Sequence, residues 1–190
     1  FLNFLPVDEI NFPIHLKLDT GMHRLGLEKD DLVDLTAILT QNKQLKVVAI
    51  FTHLVASDNA LHDNFTNEQL IEFDVMYNQL TAALKYKPIK HVLNTSGITR
   101  WKDAQFDMVR IGIGLYGFDS ALGDKLALRT VAVLKTTITQ VKTLKAGKTV
   151  GYSRTGVMQK EGKIATVKIG YADGYNRKFG NGVCKMLVNG

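Results

Sequence analysis

Four short apolar runs in this chain end in side chains that can bind an anion or move a proton. Ile14 to Leu18 leads to Lys17 and Asp19, and Val48 to Thr52 leads to His53. His91-Val92-Leu93 leads to Asn94-Thr95-Ser96, and Met108-Val109 leads to Arg110. Parallel α/β barrels carry their chemistry at the C-terminal ends of their strands, so these four ends read as one rim. Arg110 would supply a permanent cation, His53 a group that titrates near neutrality, and the Asn-Thr-Ser triplet hydrogen-bonding oxygens. Spacing alone leaves His53 open between this role and that of a satisfied structural histidine.

Such a rim needs strands separated by helices. Leu32, Leu35, Ile38 and Leu39 fall on one face of a helix expected from about Lys29 to Asn42. Val47 to Phe51 has the uninterrupted apolar character of a buried parallel strand. Leu70, Phe73, Tyr77, Leu80 and Leu84 then mark a long helix, with Thr66 and Gln69 spaced as a capping box. Ile89 to Leu93 and Met108 to Ile111 are further expected strands. Strand and helix in alternation mean βαβ units and a parallel sheet. Four such units cannot close an eight-stranded barrel, so the expected architecture is its second half. From Thr130 the chain is rich in Thr, Val, Ile and Lys, with turn signals at Ala146-Gly147-Lys148, Glu161-Gly162-Lys163 and Gly180-Asn181-Gly182. A partial barrel domain over residues 1–120 and part of a mostly β domain over 121–190 are therefore expected. The abrupt start at Phe1 and the end at Gly190 read as cuts from a longer protein.

Several other readings fall away. The 190 residues are 45% hydrophobic and 22% charged, as a packed globular chain should be. The formal charge is +6, but the basic residues are dispersed and form no stripe for nucleic acid. No apolar stretch suits a membrane span. The single Cys184 suits a reducing compartment, with the cytoplasm as the default. The five histidines form no metal-ligand spacing. Asp19-Thr20-Gly21 is the triplet of aspartic proteases, yet those need two carboxylates and only one copy occurs here. Gly112-Ile113-Gly114-Leu115-Tyr116-Gly117 has dinucleotide-type spacing, but no helix pattern follows it. What survives is that glycines at 112 and 114 let backbone N–H groups approach a phosphate, unless they form a plain strand-end turn.

Taken in order, the blocks resemble a known family. His15-Leu16-Lys17-Leu18-Asp19-Thr20-Gly21-Met22-His23-Arg24-Leu25-Gly26 resembles a signature of the alanine racemases, in which position 23 is usually Gly. Phe51-Thr52-His53-Leu54 with Ser57-Asp58, Asn94-Thr95-Ser96, and Val109 to Gly117 continue the series. Val150-Gly151-Tyr152 and Ile169-Gly170-Tyr171-Ala172-Asp173-Gly174 complete it. The resemblance implies a fold-type III enzyme that holds pyridoxal 5'-phosphate in an α/β barrel and works as a head-to-tail homodimer. It interconverts L- and D-alanine for peptidoglycan synthesis.

It also implies roles. Arg110 would donate to the pyridine nitrogen, and His53 would pack near the ring. Thr95, Gly112 and Ile113 would hold the phosphate, with Asn94 and Ser96 beside them. Arg24 would face the substrate carboxylate next to Lys17, the lysine often carbamylated in this family. Tyr171 would lie along the substrate entrance. Tyr152 would be the second of two bases flanking the α-carbon, reaching the neighbouring subunit's cofactor. A tyrosine needs help to act as a base near neutrality, and cationic His53 and Arg110 would give it. Spacing alone leaves Tyr152 open between this role and that of an ordinary packed aromatic beside a strand.

One block is absent. The family's cofactor-attaching lysine lies in a Lys-x-x-Ala-Tyr-Gly-His-Gly-like stretch that this sequence does not contain. The expectation is that the chain alone neither attaches the cofactor nor racemises alanine. Some family members are fused behind a cell-wall ligase that adds D-alanyl-D-alanine, and a non-catalytic racemase-like binding domain of such a protein is the alternative reading.

Overall fold

The computed structural model describes residues 2–6, 8–121 and 128–188. It divides into two compact units, Phe1–Ala132 and Val133–Gly190. Residues 122–127, on which part of the expected domain boundary falls, lie outside the described residues.

The first unit is built on a parallel sheet of β1 (Phe12–Lys17), β2 (Leu45–Phe51) and β3 (Ile89–His91), hydrogen-bonded in that order. Helix α1 (Leu32–Gln41) follows a short 3-10 turn, Lys29–Asp31, and connects β1 to β2. Helix α2 (Asp63–Leu84) connects β2 to β3. Phe73, Met76, Tyr77 and Leu80 of α2 are buried together with Leu16, Leu18, Ile50 and Val92, so the helix stripe and one sheet face make the core. The opposite face is set by register. Lys17 pairs with Phe51 and Phe51 with His91, so these three stand in one row and point the same way.

Two elements depart from the expectation. The Thr66–Gln69 capping box does not form, because α2 already begins at Asp63 and both side chains are buried inside it. Gln69 instead accepts from the Val55 N–H at 3.0 Å and donates to the His53 carbonyl at 3.3 Å, which pins the loop after β2. Met108 to Ile111 is not a ladder strand. β3 is only three residues long, because Asn94 turns the chain into α3 (Thr95–Arg100). Only two backbone bonds then hold the next segment beside it, Asp107 N–H to the Lys90 carbonyl and Arg110 N–H to the Leu93 carbonyl, at 3.2 and 3.0 Å.

The second unit has no α-helix among its described residues. It pairs β4 (Ile138–Leu144) antiparallel with β7 (Gly162–Val167), and β5 (Thr149–Val150) with β6 (Gly156–Val157). No helix among the described residues is long and apolar enough to cross a membrane.

Candidate functional site

Arg110 is the centre of the arrangement at the strand ends. Its two terminal nitrogens donate to the carbonyls of Thr52 at 2.7 Å, His91 at 3.0 Å and Val92 at 3.2 Å. They also meet Nδ1 of His91 and, at 3.4 Å, Nδ1 of His53. The guanidinium lies 5.1 Å from the Phe51 ring centroid. Burial pulls its pKa down from the ordinary value of an arginine. The carbonyl dipoles around it compensate the lost hydration, as a buried cation requires. Nε–H is the donor that these bonds leave over.

The two histidines answer to that charge. An arginine cannot accept a hydrogen bond, so Nδ1 of each is the acceptor and the ring proton sits on Nε2. His91 is 1% exposed, stacks on Phe51 at 4.6 Å and 9°, and its Nε2 has no hydrogen-bond partner among the described residues. Burial, then Arg110 and His15, lower its pKa to about 4. Burial, then the charges of Arg110, Arg24 and Lys17, lower that of His53. His53 is therefore neutral near pH 7, and Arg110 alone is the cation of the expected pair.

Next to this lies a turn built on Thr95. Its Oγ1 accepts the N–H groups of Gly112 at 3.0 Å and Gly114 at 3.1 Å. A Cβ on Gly114 would come within 2.8 Å of Thr95 Cγ2, so the close approach needs the bare glycine. The glycine run opens a 3-10 turn, Ile113–Tyr116, and no α-helix, so the dinucleotide geometry is not made. His53, Thr95, Arg110, Gly112 and Ile113 border one cavity of about 440 Å³, within the range of small-ligand sites.

The remaining candidates are disposed differently. Asn94 borders the cavity, but its oxygen caps Gly97 N–H and accepts from Ser57, while its amide donates to the Leu54 carbonyl. Ser96 also borders the cavity and donates its hydroxyl to Asp119 at 2.8 Å. Lys17 donates from its side-chain amine to the Leu25 carbonyl, and Arg24 is exposed on the loop after β1. That loop closes on Asp19, whose carboxylate accepts four backbone N–H groups, from Gly21, Met22, His23 and Arg24. Burial pushes the Asp19 carboxyl up, but these four donors outweigh it and hold it below the usual range. Asp19 is thus a loop anchor.

In the second unit Tyr152 is 90% exposed, in a turn where Gly151, Ser153 and Arg154 all have positive φ. Tyr171 is 64% exposed with the Arg177 guanidinium 4.5 Å from its ring centroid. Among the described residues no cluster could hold a metal ion. Sequence reasoning had no role for His91, because only the register of β3 with β2 sets it beside Phe51 and against Arg110.

Comparison with known proteins identifies the family. Residues 6–120 match the model of the alanine racemase N-terminal domain, and 131–190 that of the C-terminal domain. The chain belongs to the alanine racemase family. It is 34% identical over 179 residues to the alanine racemase of Symbiobacterium thermophilum, covering 93% of this chain and 47% of that protein. To that of Fusobacterium nucleatum it is 37% identical, covering 99% and 52%. Thus the chain spans about half the length of the curated relatives it matches. Among solved structures, the alanine racemase of Bartonella henselae with covalently bound pyridoxal phosphate superposes with a TM-score of 0.74 at 32% identity, over 89% of this chain and 45% of that one. The enzyme of Clostridium difficile 630 gives 0.76 at 31%, over 88% and 44%. The half-barrel followed by a mostly β segment is the fold these racemases share with this chain.

Proposed function

We propose that this chain forms the ring- and phosphate-binding wall of a pyridoxal-phosphate-dependent alanine racemase, which interconverts L- and D-alanine for peptidoglycan synthesis. The observation that carries the reading is the fixed Arg110 guanidinium beside the Thr95 turn, in one cavity. Those residues fit the cofactor. Arg110 keeps Nε–H for an aromatic nitrogen, while the Thr95 hydroxyl and Ile113 N–H remain for phosphate oxygens, with Gly112 and Gly114 close behind. The cofactor, when bound, supplies the electron sink that acidifies the substrate α-proton.

The protein's part is position and charge. Arg110 does not give up its proton, so it would donate to the ring nitrogen without protonating it, which would restrain the sink and limit side reactions. His53, neutral, accepts from Arg110 and packs beside the ring. Arg24 and Lys17 supply positive charge for the substrate carboxylate, with Asp19 fixing the loop that carries Arg24. Tyr152 stands exposed, as a base presented to a twin molecule must, and Tyr171 would lie along the substrate entrance as the family resemblance implies. The assembly is a head-to-tail homodimer in the cytoplasm.

Racemisation of alanine followed by circular dichroism tests this. In the complete protein Tyr152→Phe should remove proton exchange on one face and lower kcat by at least about a hundredfold; full-rate turnover would refute the assignment. The 190-residue chain alone, without the attaching lysine, should not turn over alanine.

A further inference from the structure

Asp119 is 1% exposed, and among the described residues no cation lies within ion-pair distance of it. A buried carboxylate without a counter-charge persists only where hydrogen bonds replace its water. Here Oδ1 accepts from Ser96 Oγ at 2.8 Å and from Ala121 N–H at 2.8 Å, and Oδ2 accepts from Thr99 Oγ1 at 3.0 Å, a proton that Thr99 shares with the Ser96 carbonyl at 2.9 Å. Ser96 and Thr99 lie one turn apart on α3, so the carboxylate straddles that helix's first turn. Thr95, the residue before Ser96, grips the other end of the same segment through Gly112 and Gly114. Two neighbouring residues of α3 thus hold both ends of 112–119.

Apolar packing does little of this, although the Gly117 backbone lies against that of Arg129 and Thr130. Ile113, Leu115, Tyr116 and Phe118 are each more than half exposed, so the segment has little apolar anchorage within its unit. Its position rests on polar latches, and a carboxylate takes stronger hydrogen bonds than a neutral acceptor.

We propose that Asp119 is a positioning residue: by binding Ser96 and Thr99 it fixes the 112–119 segment on α3, and so fixes where the Gly112–Gly114 amides and the Thr95 hydroxyl stand around a phosphate monoester. This rests on the reading that the cavity takes a phosphorylated pyridine. Asp119 does not border the cavity and acts only through its partners.

The test uses pyridoxine 5'-phosphate and pyridoxine, which lack the aldehyde and cannot attach to surface lysines. Binding to the chain is read from the amide NMR signals of Gly112 and Gly114. In the parent chain these should move with pyridoxine 5'-phosphate and not with pyridoxine. Asp119→Ala should weaken the phosphate ester about tenfold or more, as losing the support behind binding groups does elsewhere. Asp119→Asn, which keeps an oxygen for Ser96 and Ala121, should restore affinity to within about threefold. Thr99→Val, which removes one latch and leaves the other, should fall between them and decides the matter if Asp119→Ala does not fold. Equal affinity of Asp119→Ala (or of Thr99→Val, in that case) and the parent overturns the positioning role while leaving the cavity reading intact. No movement of the two amides in the parent chain at millimolar ester overturns the cavity reading, and the role of Asp119 with it.

Discussion

Replacing His91 by asparagine should flatten the acid sensitivity of the first unit. In the folded chain His91 is held neutral, with its pKa at about 4, by burial and by Arg110. In the unfolded chain it titrates at about 6.5. A depressed folded value means that stability is fully present above about pH 6.5 and is lost as the pH falls toward 4, because the unfolded chain binds the proton first. Between pH 7 and pH 5 this single group removes about 2 kcal/mol, the difference between its two titration curves. The substituted amide would keep an oxygen near the position of Nδ1 for Arg110 and would carry no titrating proton. Trp101, the single tryptophan, packs against the core of the first unit and reports its unfolding. Urea midpoints by Trp101 fluorescence should fall by about 1 M more in the parent than in His91→Asn between pH 7 and 5. The pairing matters because His53 also titrates low, and its contribution is common to both proteins. If the two chains lose the same stability over that interval, His91 is not held neutral and the account of the Arg110 seat fails.

Other outcomes follow from the same contacts. Asp19→Ala leaves four backbone N–H groups without their acceptor and should cost about 2–4 kcal/mol in urea unfolding at pH 7. Because the carboxyl titrates below its ordinary value, that contribution is present at neutral pH and is lost as the pH falls through the folded value, so parent and variant should converge in acid. Gly114→Ala sets a methyl against Thr95, and should cost about 1–3 kcal/mol while abolishing the response of the Gly112 amide to pyridoxine 5'-phosphate. His23→Gly relieves a φ of 50° at an exposed position and should raise stability by about 0.5–1 kcal/mol, seen as a Tm higher by about 1–3 °C. An unchanged or lower Tm would mean that the loop is not strained there.

The parallel half-barrel was legible because its signals are periodic. Leu70, Phe73, Tyr77 and Leu80 mark the buried stripe of α2, and the apolar run Val47 to Phe51 is β2. The rim was legible as polar residues following those runs, which brought His53, Thr95, Arg110 and Gly112 into one cavity. What failed depended on partners distant in sequence. Thr66 and Gln69 have capping-box spacing, but nothing local reveals that Gln69 is needed at the loop after β2. Asn94 and Ser96 stand out as polar residues after a strand and do border that cavity, but nothing local shows that Ser96 also latches onto Asp119. His91 was invisible for the opposite reason. It stands inside a strand, and only the register with Phe51 shows that it faces Arg110.

Three of the atoms that seat Arg110 are main-chain oxygens, those of Thr52, His91 and Val92. An oxygen of that kind is the same whatever side chain its residue bears. Swapping Thr52 or Val92 for another amino acid of suitable bulk would leave the guanidinium where it is. Adding or deleting one residue in β2 or β3 would instead slide a carbonyl out from under it. The charge offered to the cavity is therefore guarded by strand length more than by residue identity.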